Sequence, residues 1–274
     1  MTTTTFNKMI DDASKHVLLH HVSIGDSWGN PNIPLPPPNG SGTFVWFKIE
    51  AGIVYGILTA AHVARWLKLG RNSQGQFIGL SKLQNNESVA CSVTFKFIHH
   101  VAPINRFHIY SNEAYRPDIA FIALGLNRFP SHELLENSLF YDLDSNIEFG
   151  FEEDQKILSA FFRGACHDDE ISDDGYMNTP LCLGGGEIIK HDKETDIQYW
   201  KIPNTSQKSI GGGSGAAFWR FRYNGEILRK SLEGVIIAEG EDFNHIEAIA
   251  TPYLYDNYIP QLKQFCVSKL DWLL

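Results

Sequence analysis

The chain has 274 residues, 43% apolar and 20% charged, with 18 Phe, ten Tyr and six Trp, enough to bury a sizeable core as one large domain or two smaller units. Its 32 acidic against 23 basic residues leave a formal net charge of −9, which argues against a general nucleic-acid binder, because neutralising phosphates takes a basic surface. The start MTTTTFNKMIDDASKH lacks the basic and apolar stretches of a secretory signal, and no apolar run approaches the roughly 20 residues of a membrane span, so a cytoplasmic protein without membrane contact is expected.

Phe6, Met9, Ile10, Ala13 and Val17 recur at helical spacing and predict a short amphipathic helix over 5–17. HVLLHHVSI follows as a candidate strand. The proline-rich strap PNIPLPPPNGSG is extended and barred from a central strand. It serves either as a spacer or as a recognition segment for an aromatic-lined groove. Residues 1–39 are therefore expected to be an N-terminal extension of helix and strap.

Residues 40–130 hold the short β-rich runs TFVWFKI, GIVYGILTA, QFIGL, SVTFKFIHHV and DIAFIAL, separated by Gly, Asn, Pro or Ser clusters. Frequent short strands point to a barrel or sandwich rather than an α/β sheet. The polar, helix-compatible PSHELLENSLFYDLDSN fills a connector, 131–147. A second β-rich unit, 148–252, contains QKILSAFFRG, PLCLGGGEIIK, IQYWKI, GAAFWRFRY and SLEGVIIAEG. In 253–274, Ile259, Leu262, Cys266, Leu270 and Leu273 share one helical face, and Pro260 suits a helix first turn. A closing C-terminal helix is expected. Four scattered cysteines without CxxC spacing suit buried thiols in a reducing compartment rather than a disulfide scaffold.

Three segments carry chemistry. In GILTAAHVA an apolar strand ends in small residues and delivers His62 where the chain turns. One histidine among eleven is ordinarily structural or solvated, but the alanines allow close packing that holds a ring in one orientation. In YRPDIAFIAL, Asp118 opens a strongly apolar strand directly after a proline. It is either a turn aspartate or a partly buried carboxylate that needs a donor. In SIGGGSGAAFW, Ser214 sits among glycines whose conformational freedom lets the N–H groups of Gly212 and Ser214 converge on one cavity. A hydroxyl to attack, with donors where an oxyanion forms, is what acyl transfer needs. A phosphate-cradling loop is the competing use of glycine, but neither GxxxxGK[ST] nor GxGxxG is present.

In the order His62, Asp118, Ser214, these segments resemble the hallmarks of the trypsin-like (chymotrypsin-fold) serine peptidases, in the intracellular or bacterial form, over roughly 40–272. Intervals of 56 and 96 residues suit two triad members on the first unit and the nucleophile on the second, an order given by the established triad template. The resemblance implies an all-β fold of two six-stranded antiparallel β-barrels and a serine endopeptidase with no cofactor or metal. It further implies a triad of His62, Asp118 and Ser214, and an oxyanion hole from the N–H groups of Gly212 and Ser214. A peptide or protein substrate would pair along Ile237, Ala238 and Glu239. Lys208 falls where the family places the floor of its primary pocket, where it would favour an acidic side chain. A solvated loop lysine is the other reading.

Gly213 stands where secreted members carry the aspartate that receives a newly cut N-terminus, and no Ile-Val-Gly-Gly start exists. The expected site is therefore preformed, or completed by a regulatory or sensor partner. A catalytically silent protease-like domain that binds an extended peptide remains the alternative. An α/β-hydrolase esterase fits poorly, because its acid and histidine follow the serine. The acidic loop CHDDEISDDG and the pairs His20-His21 and His99-His100 lack ligand spacing, so no metal is expected.

Overall fold

A computed structural model describes residues 8, 12–13, 15–17, 19–27, 40–69, 77–84, 88–89, 92–103, 108–111, 117–127, 140–145, 157–162, 176–184, 188–195, 197–201, 213–223, 228–239, 245–249 and 254–273. The runs rich in aromatic and β-branched residues become strands, as their fit to a pleated, buried surface dictates. In the N-terminal half of the chain these are β1 (His21–Ser27), which lies within the expected extension 1–39, β2 (Gly40–Ile49), β3 (Gly52–Thr59), β4 (Phe77–Gln84), β5 (Ser88–Val89), β6 (Ser92–Pro103), β7 (His108–Ser111) and β8 (Ala120–Leu126). A helix, Ala61–Leu69, leaves the end of β3. After β9 (Tyr141–Asp142), the C-terminal half holds β10 (Ile157–Phe162), β11 (Tyr176–Gly184), β12 (Ile188–Asp192), β13 (Ile197–Lys201), β14 (Ala217–Tyr223), β15 (Leu228–Glu239) and β16 (His245–Ile249).

Neighbouring strands pair antiparallel along one path, β12-β13-β16-β15-β14-β10-β11-β6-β4-β1-β2-β3-β8-β7, with β5 beside β6 and β9 parallel to β2. The β6–β11 ladder (Lys96 opposite Tyr176) joins the two halves. The fold is thus mostly antiparallel β with a C-terminal helix, as expected. Among the described residues the pairings leave the path open at β7 and β12, so they do not by themselves close two six-stranded barrels.

Alternation along β2, β3 and β8 feeds two cores at once. Phe44, Ile57 and Ile122 face an interior shared with Val22, Ile24 and Val63. Their neighbours Val45, Leu58 and Phe121 face a larger core, where Trp219, Phe221 and Val235 of the second half meet Leu262 and Cys266 of the C-terminal helix. Each fully buried side chain of this kind contributes about 1.5–3 kcal/mol. In the second half Arg220, 1% exposed, lies 5.1 Å over the Trp200 ring and 3.9 Å from Glu233, which also accepts a 2.7 Å bond from Ser231 Oγ.

Several expectations are corrected. The helix expected over 5–17 runs further, for residues 16, 17, 19 and 20 are helical and the strand starts at His21. Val17 is buried on a helical face with Ala13, while Leu19 is exposed, so the apolar run serves a helix rather than a strand. Within the connector, Tyr141–Asp142 pairs with Val45–Trp46 instead of forming helix. PLCLGGGEIIK divides into β11 and β12. β16, not singled out in the sequence, fills the place between β13 and β15. A π-helical turn, Leu254–Tyr258, precedes the helix Ile259–Ser268, and a short helix, Leu270–Leu273, follows it. Cys266 is a buried thiol, pushed up to about 12 by burial. Residues 28–39, with most of the proline strap, and the acidic loop 166–175 lie outside the described residues, as do Cys91 and Cys166.

The N-terminal helical residues dock through a histidine. The His16 ring meets Trp219 at 4.5 Å, His20 at 4.7 Å, Phe221 at 5.7 Å and Tyr141 at 6.1 Å, always edge to face. Among the described residues neither of its ring nitrogens has a hydrogen-bond partner. Burial, with the nearby charges of His20 and Lys230, pulls its pKa from 6.5 to about 2, and burial takes His21 to about 3. Both folded values lie below the unfolded one, so protons bind preferentially to the unfolded chain as pH falls below 6.5. Stability is therefore present above that pH and is lost on acidification. From pH 7.5 to 5.5 each histidine should cost about tenfold in the folding equilibrium. Urea melts at the two pH values check this, and His16→Phe should abolish its own tenfold share of the loss.

Candidate active site

β2 and β3 form a hairpin whose ladder runs from Ile49↔Gly52 to Thr43↔Leu58. β3 ends at Thr59, two residues before β2 runs out at its own start, Gly40. The chain turns away there through Ala60 into the helix Ala61–Leu69. Small residues permit that close exit, and Ala60 and Ala64 are buried and joined by the first helical bond (3.1 Å). His62 is the second residue of this helix, so its N–H is one of the four donors that a helix start leaves without an intrahelical acceptor.

Asp118 supplies the acceptor. Its Oδ1 takes the His62 N–H at 2.8 Å, and its Oδ2 lies 2.5 Å from His62 Nδ1. The aspartate stands at a tight turn, closed by Ile119 N–H donating to the Pro117 carbonyl at 2.8 Å, directly before the fully buried β8. β8 pairs with β3 (Ala120↔Thr59), which brings Asp118 to the helix start. The helix has no acidic residue in its own first turn, so Asp118 provides the negative charge that a helix N-terminus favours. A carboxylate can only accept, so Nδ1–H is the donor in this contact and Nε2 is the ring nitrogen not engaged by Asp118. The His62 side chain is 39% exposed against 22% for Asp118, so the ring is the more open member of the pair.

Ser214 arrives from the second half. Gly213–Ala216 is a four-residue turn closed by Ala216 N–H to the Gly213 carbonyl (3.0 Å), with Gly215 at φ +90°. A type II turn demands positive φ at its third residue, where glycine is favoured. The turn occupies the place in the ladder that β3 vacates. Ser41 N–H donates to the Ser214 carbonyl at 2.8 Å, and Ala217 N–H donates to Thr43 Oγ1 at 3.1 Å. A Cβ on Gly215 would collide with the Ser41 carbonyl oxygen and Thr59 Oγ1. One on Gly40 would come within 2.6 Å of Val63, the neighbour of His62, and 3.1 Å of the Ser214 carbonyl oxygen. The nucleophile candidate and the histidine helix thus meet at one seam. Among the described residues no hydrogen bond links His62 to Ser214, a contact that in unliganded sites is often long and tightens on substrate binding.

The other candidates divide. Ile236 bonds the serine turn twice, accepting from Gly215 N–H (2.7 Å) and donating to the Ala216 carbonyl (2.9 Å). Beyond it β15 outruns the start of β14, which opposes Val235. Half-buried Ile237 packs against both cores, and half-buried Ala238 pairs with Glu247. Glu239 pairs with Ile246. Lys208 and Gly212 lie outside the described residues. Sequence reasoning missed Ser41, Thr43, Thr59 and Ile236. Ser41 and Ile236 act through backbone groups and Thr43 and Thr59 through hydroxyls, none of which forms a pattern that can be read from the sequence.

Neither a protein-family model nor a curated protein sequence matches the chain. It is similar to solved structures of low identity. One comes from work on the coupled folding and binding of the intrinsically disordered Sesbania mosaic virus VPg protein (16% identity, 88% of this chain and 90% of that one, TM-score 0.45). Another is a Glu endopeptidase in complex with MPD (12%, 88% and 97%, TM-score 0.43). A third is the Vibrio cholerae VesB protease (13%, 88% and 63%, TM-score 0.42).

Gly215→Ala should cost about 1–3 kcal/mol from positive φ alone, with the collision in addition. A lowered urea midpoint with an unchanged slope checks it.

Proposed function

We propose that the chain is a serine endopeptidase of the chymotrypsin-like kind, with 40–130 and 148–252 as two barrel units and the site on their seam. The observation that carries this reading is the double grip of Asp118 on His62, at backbone N–H and ring Nδ1, beside the ladder seat of Ser214. His62 Nε2 takes the Ser214 hydroxyl proton as Oγ attacks the scissile carbonyl, then returns it to the leaving amine. Asp118 holds the tautomer and stabilises the imidazolium. The N–H groups of Gly212 and Ser214 receive the oxyanion. Water then repeats the cycle on the acyl-enzyme and frees Ser214. A peptide or protein substrate adds as a strand along Ile237, Ala238 and Glu239, where β15 extends past β14. Lys208 contributes to the primary pocket and favours acidic side chains there.

The absence of a His62–Ser214 hydrogen bond among the described residues favours a second reading, a protease-like domain that binds an extended peptide without cutting it, or that awaits a regulatory partner. Intact-mass analysis after fluorophosphonate treatment separates the two. The expected result is one adduct on the wild type and none on Ser214→Ala or His62→Ala. A folded wild type that takes no adduct, alone or with candidate partners, rejects the peptidase. With a cleaved peptide in hand, Asp118→Asn should lower kcat on the order of 10⁴-fold, and near-normal turnover would remove Asp118 from the triad.

A further inference from the structure

We infer that Thr59 is a positioning residue for Ser214 and acts through Ser41, an inference that rests on reading Ser214 as the nucleophile. Where β3 ends, Ser41 is held at both of its backbone polar groups. Its N–H donates to the Ser214 carbonyl at 2.8 Å, and its carbonyl accepts the Thr59 hydroxyl at 2.6 Å. Thr59 and Ser41 are both fully buried, so neither bond exchanges freely with solvent. The missing side chain of Gly215 lets the turn settle directly on the Ser41 carbonyl oxygen and Thr59 Oγ1.

Thr59 also stands three residues before His62 and pairs with Ala120, two residues after Asp118. One hydroxyl therefore ties the strand end that carries the base to the strand that seats the nucleophile. Without the Thr59 hydroxyl the Ser41 carbonyl loses its bond to the end of β3, and the seat of the Ser214 carbonyl loosens on that side. Held at both groups, Ser41 keeps the Ser214 turn in one register with the histidine helix. Thr43, whose Oγ1 accepts from Ala217 N–H, braces the far end of the same turn. Its hydroxyl bonds the turn itself, whereas the Thr59 hydroxyl joins the end of β3, which leads into the histidine helix, to the residue that seats Ser214.

The test compares the full-length wild type with Thr59→Val, which keeps the shape and loses the hydroxyl, and Thr59→Ser, which keeps the hydroxyl and loses the methyl. Two quantities are read: the fluorophosphonate labelling rate of Ser214 across pH, and amide hydrogen exchange at Ser41 and Gly215. Thr59→Val should label on the order of 10²-fold more slowly, the scale of a nucleophile displaced by about 1 Å, and Thr59→Ser within about threefold of wild type. The labelling pH midpoint should be the same in all three, since Asp118 still holds His62. Exchange at Ser41 should be faster in Thr59→Val alone.

Wild-type labelling in Thr59→Val overturns the proposal, as does unchanged exchange at Ser41. Thr59→Ser as slow as Thr59→Val also overturns it, because packing of the methyl would then be the cause. A wild type that never labels removes the nucleophile reading itself. In that case the Ser41 exchange alone decides whether Thr59 holds the turn.

Discussion

The hydrogen bond from Ser41 N–H to the Ser214 carbonyl oxygen joins residues far apart in the chain, and the arrangement of the site depends on it. A strand that loses its partner leaves backbone groups that must be paired if buried. β2 loses β3 at Thr59, and the chain solves this with a turn from the other half rather than with water or a loop nearby. The solution has strict requirements. The incoming turn must be closed on itself, must present a carbonyl outward, and must have no side chain where it meets β2. Gly213-Ser214-Gly215-Ala216 meets all three. The backbone demand of β2 is thus what brings a hydroxyl-bearing residue to within one seam of His62.

The second constraint is the start of the histidine helix. A helix needs its first N–H groups satisfied and favours an anion there. Asp118 meets both needs while its second oxygen takes His62 Nδ1. Structure and chemistry share one carboxylate. Its position is set by the β3–β8 ladder, which pairs Ala120 with Thr59 and so brings the Asp118 turn to the helix start. Short turns and a helix start anchored directly on strands keep side-chain geometry tighter than long loops do.

Much of this was legible in the sequence, for reasons that differ from residue to residue. His62, Asp118 and Ser214 each sit in a local pattern (small residues before a turn, a proline before an apolar strand, glycines around a serine) that announces an unusual backbone. β2, β3 and β8 were visible because they are buried on both faces and so read as unbroken apolar runs. Ser41, Thr43 and Thr59 were not, because a serine or threonine that braces a backbone looks like any solvated hydroxyl until its partner strand is known. Residues 16–20 misled for a related reason: Val17 is apolar on a helix face, and a short apolar run cannot tell that face from a strand. Tyr141–Asp142 escaped because two residues carry no period at all.

The seat that β2 offers to the serine turn also orders the life of the molecule in time. In a chain made from its N-terminus, β2, β3 and the His62–Asp118 pair are synthesised well before Ser214. Ser214 must then wait for β15, since Ile236 closes the turn from the other side. Neither half owns the seam: the C-terminal half holds the turn through Ile236, and the N-terminal half supplies its seat on Ser41. The seat of Ser214 is therefore complete only when both halves have docked.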